Sequence, residues 1–202
     1  MKFVGILVAI GALATPAIGQ EAFLGRTVEQ WSASLAGGKG QERVEAAWAL
    51  AQIAGREAGS FGDHIQFAEL VKLVSDSDPS VRYWGVLGLA GYARQLKAND
   101  GGRGAAINTL GPLLEDKAPA PRIAAAAALG QLGQAEKVLP VLVAAMSDPQ
   151  EATRIQAIAA LEQLGPAARP AEKTIRAATS DSSEYVKRIS ERAVKKLDAP
   201  KK

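Results

Sequence analysis

The sequence predicts an all-α protein, a solenoid of about five stacked helix pairs, and three observations carry that reading. Residues 121–133 read PRIAAAAALGQLG and residues 153–165 read TRIQAIAALEQLG, the same pattern thirty-two residues apart. Counted from Arg122 and Arg154, the two copies share Ala at offsets 3 and 6, Leu at 7 and 10, and Gly at 11. Those offsets form one apolar stripe of an α-helix, with Gly as its natural stop. The composition agrees: Ala dominates, aromatic residues make up only 5%, and alternating Val/Ile runs are absent.

From the N-terminus, residues 1–19 have the form of a secretory signal peptide. Lys2 supplies the positive start, residues 3–14 are continuously apolar, and Thr15-Pro16 ends the run before the small residues Ala17 and Gly19. Twelve apolar residues fall short of the ~20 that a membrane-spanning helix needs. The mature chain is therefore expected to be exported, periplasmic or extracellular, with no membrane span. Residues 20–26 form a short leading segment, 27–198 the repeats, and 199–202 a basic tail.

Basic anchors recur at Arg43, Arg82, Arg122, Arg154 and Lys187, at steps of 39, 40, 32 and 33 residues. Around each anchor the apolar columns hold their places. Offset −12 carries Trp31, Leu70, Leu110, Leu142 and Ile175; offset +7 carries Leu50, Leu89, Leu129, Leu161 and Val194. Small residues fill +3 and +6, letting helices approach closely. Each unit reads as an A helix ending near −7, a turn, and a B helix starting near −2. The turns contain Asp76-Ser-Asp-Pro79, Asp116 through Pro121, Asp148-Pro149 and Ser180 through Ser183, which are turn-forming and helix-starting residues. The longer first two steps place Gly-rich insertions at residues 55–63 and 98–104, expected as surface loops; the second is equally readable as a joint. One such pair cannot bury its apolar face alone, so neighbours must stack.

The Asp-Pro turn, the basic anchor and the Ala/Leu/Gly run resemble HEAT repeats, in the short bacterial form found in phycobilisome-lyase-type proteins. The resemblance spans residues 27–197. It implies a scaffold that binds other proteins, with the B helices lining a concave face. It also implies a hydrogen-bonded ladder between repeats, made by Asp76, Asp116, Asp148 and Asp181 with Arg82, Arg122, Arg154 and Lys187. Gly37 takes the Asp position in unit one, so the ladder is expected to start at unit two.

Catalytic chemistry finds little support. The chain has no Cys and one His, His64, without ligand-spaced carboxylates or a His-Glu pair, so neither a metal nor another cofactor is expected. No phosphate loop, nucleophile elbow or His-based triad occurs. The alternative is a diverged lyase- or hydroxylase-type relative holding a cofactor in its concavity. The net charge of +3 is unevenly placed: residues 169–202 hold ten Lys/Arg against five Asp/Glu. That end reads as the polar cap of a monomeric stack rather than a nucleic-acid or polyanion site.

A binding site is sought among large apolar residues at outward offsets. At ~100° per residue, +1 and +5 point away from the core stripe, which singles out Trp48, Tyr83 and Leu87, with Trp84 at the edge. Aromatic residues on an exposed concavity suit a protein-binding anchor. The other reading packs Trp48 and Tyr83 between units. Gly85 and Gly88 occupy the small-residue columns; Gly91 does not, and a bend or space for a ligand are both open.

Overall fold

The computed structural model describes residues 23–55 and 67–199. The signal segment, His64 and most of the first insertion lie outside them. Among the described residues ten α-helices follow one another as five pairs: α1 (Val28–Gly37) with α2 (Gln41–Ala54), α3 (Phe67–Val74) with α4 (Pro79–Gln95), α5 (Gly101–Leu110) with α6 (Pro119–Gln131), α7 (Ala135–Ala145) with α8 (Glu151–Leu164), and α9 (Glu172–Ala177) with α10 (Glu184–Asp198). Short 3-10 turns at Gly111–Glu115, Gly165–Ala171 and Ala178–Ser180 extend α5 and flank α9. Among the described residues there is no β-strand, only an isolated bridge between Phe23 and Arg26. The architecture is an α-solenoid.

The core columns explain the stacking. Leu50, Leu89, Leu129 and Leu161 are buried on the B helices, opposite Trp31, Leu70, Leu110, Leu142 and Ile175 on the A side. A further column at offset +4, Ala47, Val86, Ala126 and Ile158, is completely buried where each B helix meets its neighbour. Consecutive B helices pack directly, α2 on α4 on α6 on α8 on α10, whereas the A helices pack on B helices and hardly on one another. In a curved stack the inner row has less room per repeat, so the crowded B row lies on the concave side.

Small residues make that crowding possible. A Cβ on Gly85 would sit 2.6 Å from that of Leu73, and one on Gly88 would sit 3.0 Å from Cα of Ala51. Gly91, which neither a bend nor a ligand explains, faces the end of α2: its Cβ would lie 2.7 Å from Cα of Gly55. Gln95 fastens the same approach by donating from Nε2 to the Ala54 carbonyl at 2.7 Å.

One region differs from expectation, and the leading segment adds a contact that the repeat pattern does not cover. The Gly run at residues 98–104 is mostly helix rather than loop. Asp100 caps α5 by accepting from Gly102 N at 2.7 Å, and Gly102 fits under Leu96 and Tyr92 where a side chain would crowd. Residues 23–26 are folded onto unit one. Phe23 is buried, its carbonyl accepts from Trp31 Nε1 at 3.1 Å, and its ring lies 5.6 Å from that of Trp48. Arg26 completes this end, its guanidinium 4.1 Å from the Trp31 ring.

Candidate partner-binding groove

Each inter-repeat turn is built the same way. Asp76, Asp116, Asp148 and Asp181 each accept, through Oδ1, the amide two residues on, at 2.8–2.9 Å. This closes the turn and starts the B helix. Arg82, Arg122 and Arg154 each donate from Nη1 to two carbonyls of their own unit's turn.

The remaining edge of the guanidinium reaches forward to the next unit. Arg82 grips Asp116 through Nε and Nη2 at 2.6 and 2.8 Å, and Arg154 grips Asp181 at 2.9 and 3.0 Å. Arg43 Nη2 meets Asp76 at 2.5 Å, so unit one supplies the first donor and Gly37 removes only an acceptor. The two-pronged bonds from Arg82 and Arg154 hold the carboxyls of Asp116 and Asp181 below the usual range, and the carboxylates raise both guanidinium values in return.

Two expected rungs are not formed. Lys187 pairs instead with Glu184 at 2.6 Å within its own helix. Between Arg122 and Asp148 there is no ion pair. They border an open cleft of about 390 Å³, together with Leu114, Pro140, Val141, Ala144 and Ala145. Pro140 stands inside α7, the helix that delivers Asp148, and lacks the amide that would continue the backbone ladder there.

The concave face carries a groove of about 300 Å³ across α4, α6 and α8. Tyr83 and Leu87 form its α4 side, Ala127 and Ala159 its floor, and Gln131, Gln156 and Gln163 supply amides. Arg94 closes one side, donating from Nη1 to Gln131 Oε1 at 3.3 Å; Gln131 Nε2 in turn donates to Gln163 Oε1 at 2.7 Å. The expected anchors are thus divided. Tyr83 and Leu87 line the groove, Trp84 stacks edge-on against Tyr83 with centroids 5.2 Å apart, and Trp48 is covered by Phe23 at the first end of the stack.

The groove spans units two to four rather than one and two. Searching for large outward residues finds ridges, whereas a depression forms where outward residues are small, as at Ala127 and Ala159. The recurrence of Gln131 and Gln163 at one offset is the sequence signal for those two amides; Arg94 and Gln156 stand at other offsets and carry none.

Farther along, Glu162 holds α8 to α10 through Arg192 Nη2 at 2.9 Å and Lys196 Nζ at 3.1 Å, which keeps its carboxyl low. Among the described residues no group of three or more His, Cys, Asp or Glu is placed to hold a metal. None of the described helices is long and apolar enough to cross a membrane.

No curated protein is significantly similar in sequence. Among solved structures, a designed armadillo repeat protein in complex with the peptide (KR)4 is 20% identical, with a TM-score of 0.54, covering 85% of this chain and 82% of that one. A second designed armadillo repeat protein is also 20% identical, with a TM-score of 0.51 and the same coverage. These likenesses concern the fold. In sequence, the model for HEAT repeats matches residues 68–162 and 107–195. Repeated Asp turns and basic anchors, stacked in five helix pairs, place the chain in the HEAT repeat family.

Proposed function

We propose that the protein is an exported, non-catalytic scaffold, acting as a monomer, that holds a protein partner on the concave face of its B helices. The observation that carries this reading is the groove over α4, α6 and α8, with apolar walls, a floor of alanines and a row of primary amides. Apolar surface with a few placed polar groups is the usual make-up of a binding site. Export rests on the n- and h-regions of residues 1–19. The designed neighbour bound to (KR)4 supports the use of such a stack for peptide capture.

The test is site-specific photo-cross-linking in the native host. A photoreactive residue at Ala159, on the groove floor, is expected to trap a discrete protein from the exported fraction, and Ala127→Phe is expected to abolish the adduct. The same probe at Lys173, exposed on the A-helix side, should trap nothing comparable. Equal adducts at both positions, or adducts insensitive to Ala127→Phe, would overturn the groove as the site. Recovery of chain beginning at Gln20 checks export; unprocessed chain in the cytoplasm would refute it.

A further inference from the structure

We infer that the groove receives an extended acidic peptide segment, with a carboxylate of the partner seated on Arg94. This inference rests on the reading of the groove as the partner site and adds the chemistry of what enters it. The lining contains no carboxylate and a single cation, Arg94. Six other arginines among the described residues, Arg43, Arg82, Arg154, Arg169, Arg176 and Arg192, are ion-paired within the chain. Arg94 is exposed and bonded only to a neutral amide, Gln131 Oε1. Its guanidinium edge therefore remains available for the two-pronged pairing that carboxylates accept elsewhere in this chain.

The field around it has the same sign. Along the same face, Arg188 on α10 is exposed with no ion pair, while Glu162 is already held by Arg192 and Lys196. The glutamines fit the rest of a peptide: a primary amide both donates and accepts, as each peptide unit does, and Tyr83 and Leu87 offer apolar contact. At about 300 Å³ the space is at the small end for a ligand site, which suits a few extended residues rather than the flat surface of a folded domain. A basic segment would bring its charge onto Arg94 without an acid to meet it.

A random octapeptide display library selected on the intact mature chain tests this. The enriched peptides are expected to share an Asp or Glu beside an apolar residue. Their affinity should fall about tenfold or more on Arg94→Gln, fall similarly when the peptide acid becomes its amide, and weaken with added salt. Arg103→Gln, at a cation outside the groove, should leave affinity unchanged, with melting temperatures confirming that all variants fold. Groove-binding peptides without acids, or acidic ones indifferent to Arg94→Gln, would overturn the acidic class while leaving the groove intact. If neither Ala127→Phe nor Ala159→Phe blocks any selected peptide, the groove reading itself falls.

Discussion

At the scale of single residues, the comparison between Arg82 and Arg122 isolates what the forward reach of an anchor contributes. Both donate from Nη1 to two carbonyls of their own turn; only Arg82 also grips a carboxylate in the next unit. A double-mutant cycle on Arg82 and Asp116, read by urea unfolding, is expected to give a coupling of about 0.5–1 kcal/mol, the upper range for partly exposed pairs. The same cycle on Arg122 and Asp148 should give none. Equal coupling at both would mean that the rung between units three and four closes in solution. The sequence displays this Asp and this Arg as well as any other pair, so the break is illegible there. It depends on a few ångströms of placement around Pro140, and a repeat pattern carries no such distances.

At the scale of helices, the glycines give opposite predictions according to what faces them. Gly91→Ala in α4 must push a Cβ into Cα of Gly55. Overpacking of about 1–3 kcal/mol then opposes a helix-propensity gain of about 1 kcal/mol, so a net loss of about 1 kcal/mol is expected. Gly104→Ala in α5 meets nothing within 4 Å and should instead stabilise by up to about 1 kcal/mol. Thermal melts of the two variants decide it; a stabilised Gly91→Ala would contradict the close packing of α2 on α4. The helices and their registers were readable because apolar columns repeat across units. Gly91 was not, because its reason lies on another helix, at Gly55. Nor was the helical run at residues 101–104, where the cap from Asp100 outweighs the poor propensity of glycine.

At the scale of the molecule, acid should loosen the stack. The carboxyls of Asp116, Asp181 and Glu162 are held below their ordinary values of 3.8, 3.8 and 4.5 by bonds from Arg82, Arg154 and Arg192. The unfolded chain therefore binds these protons first on acidification. The contribution is complete above the ordinary values and is lost as pH falls through the lowered native ones. Urea midpoints should be flat from about pH 8 to 5.5 and decline below about pH 4.5, with a shallower decline in Asp116→Asn. Midpoints unchanged down to pH 3 would show that these pairs do not stabilise the fold. Location of the concave face followed from the repeat; location of its groove did not, because it arises from what three helices leave empty together.

The rungs also have a polarity, since every donor sits in one unit and its acceptor in the next. A stack built on such a rule has heads and tails, and nothing in the rule itself says where to stop adding. The first and last of the five described units depart from it. The first unit presents Gly37 in place of an accepting Asp, behind the hairpin of Phe23 and Arg26. The last presents Lys187 folded back on Glu184, and exposed Glu191 in the column that elsewhere holds buried Ala47, Val86, Ala126 and Ile158. A copy of this stack set head to tail against these two units would meet neither the accepting Asp nor the apolar column that joins units inside the chain.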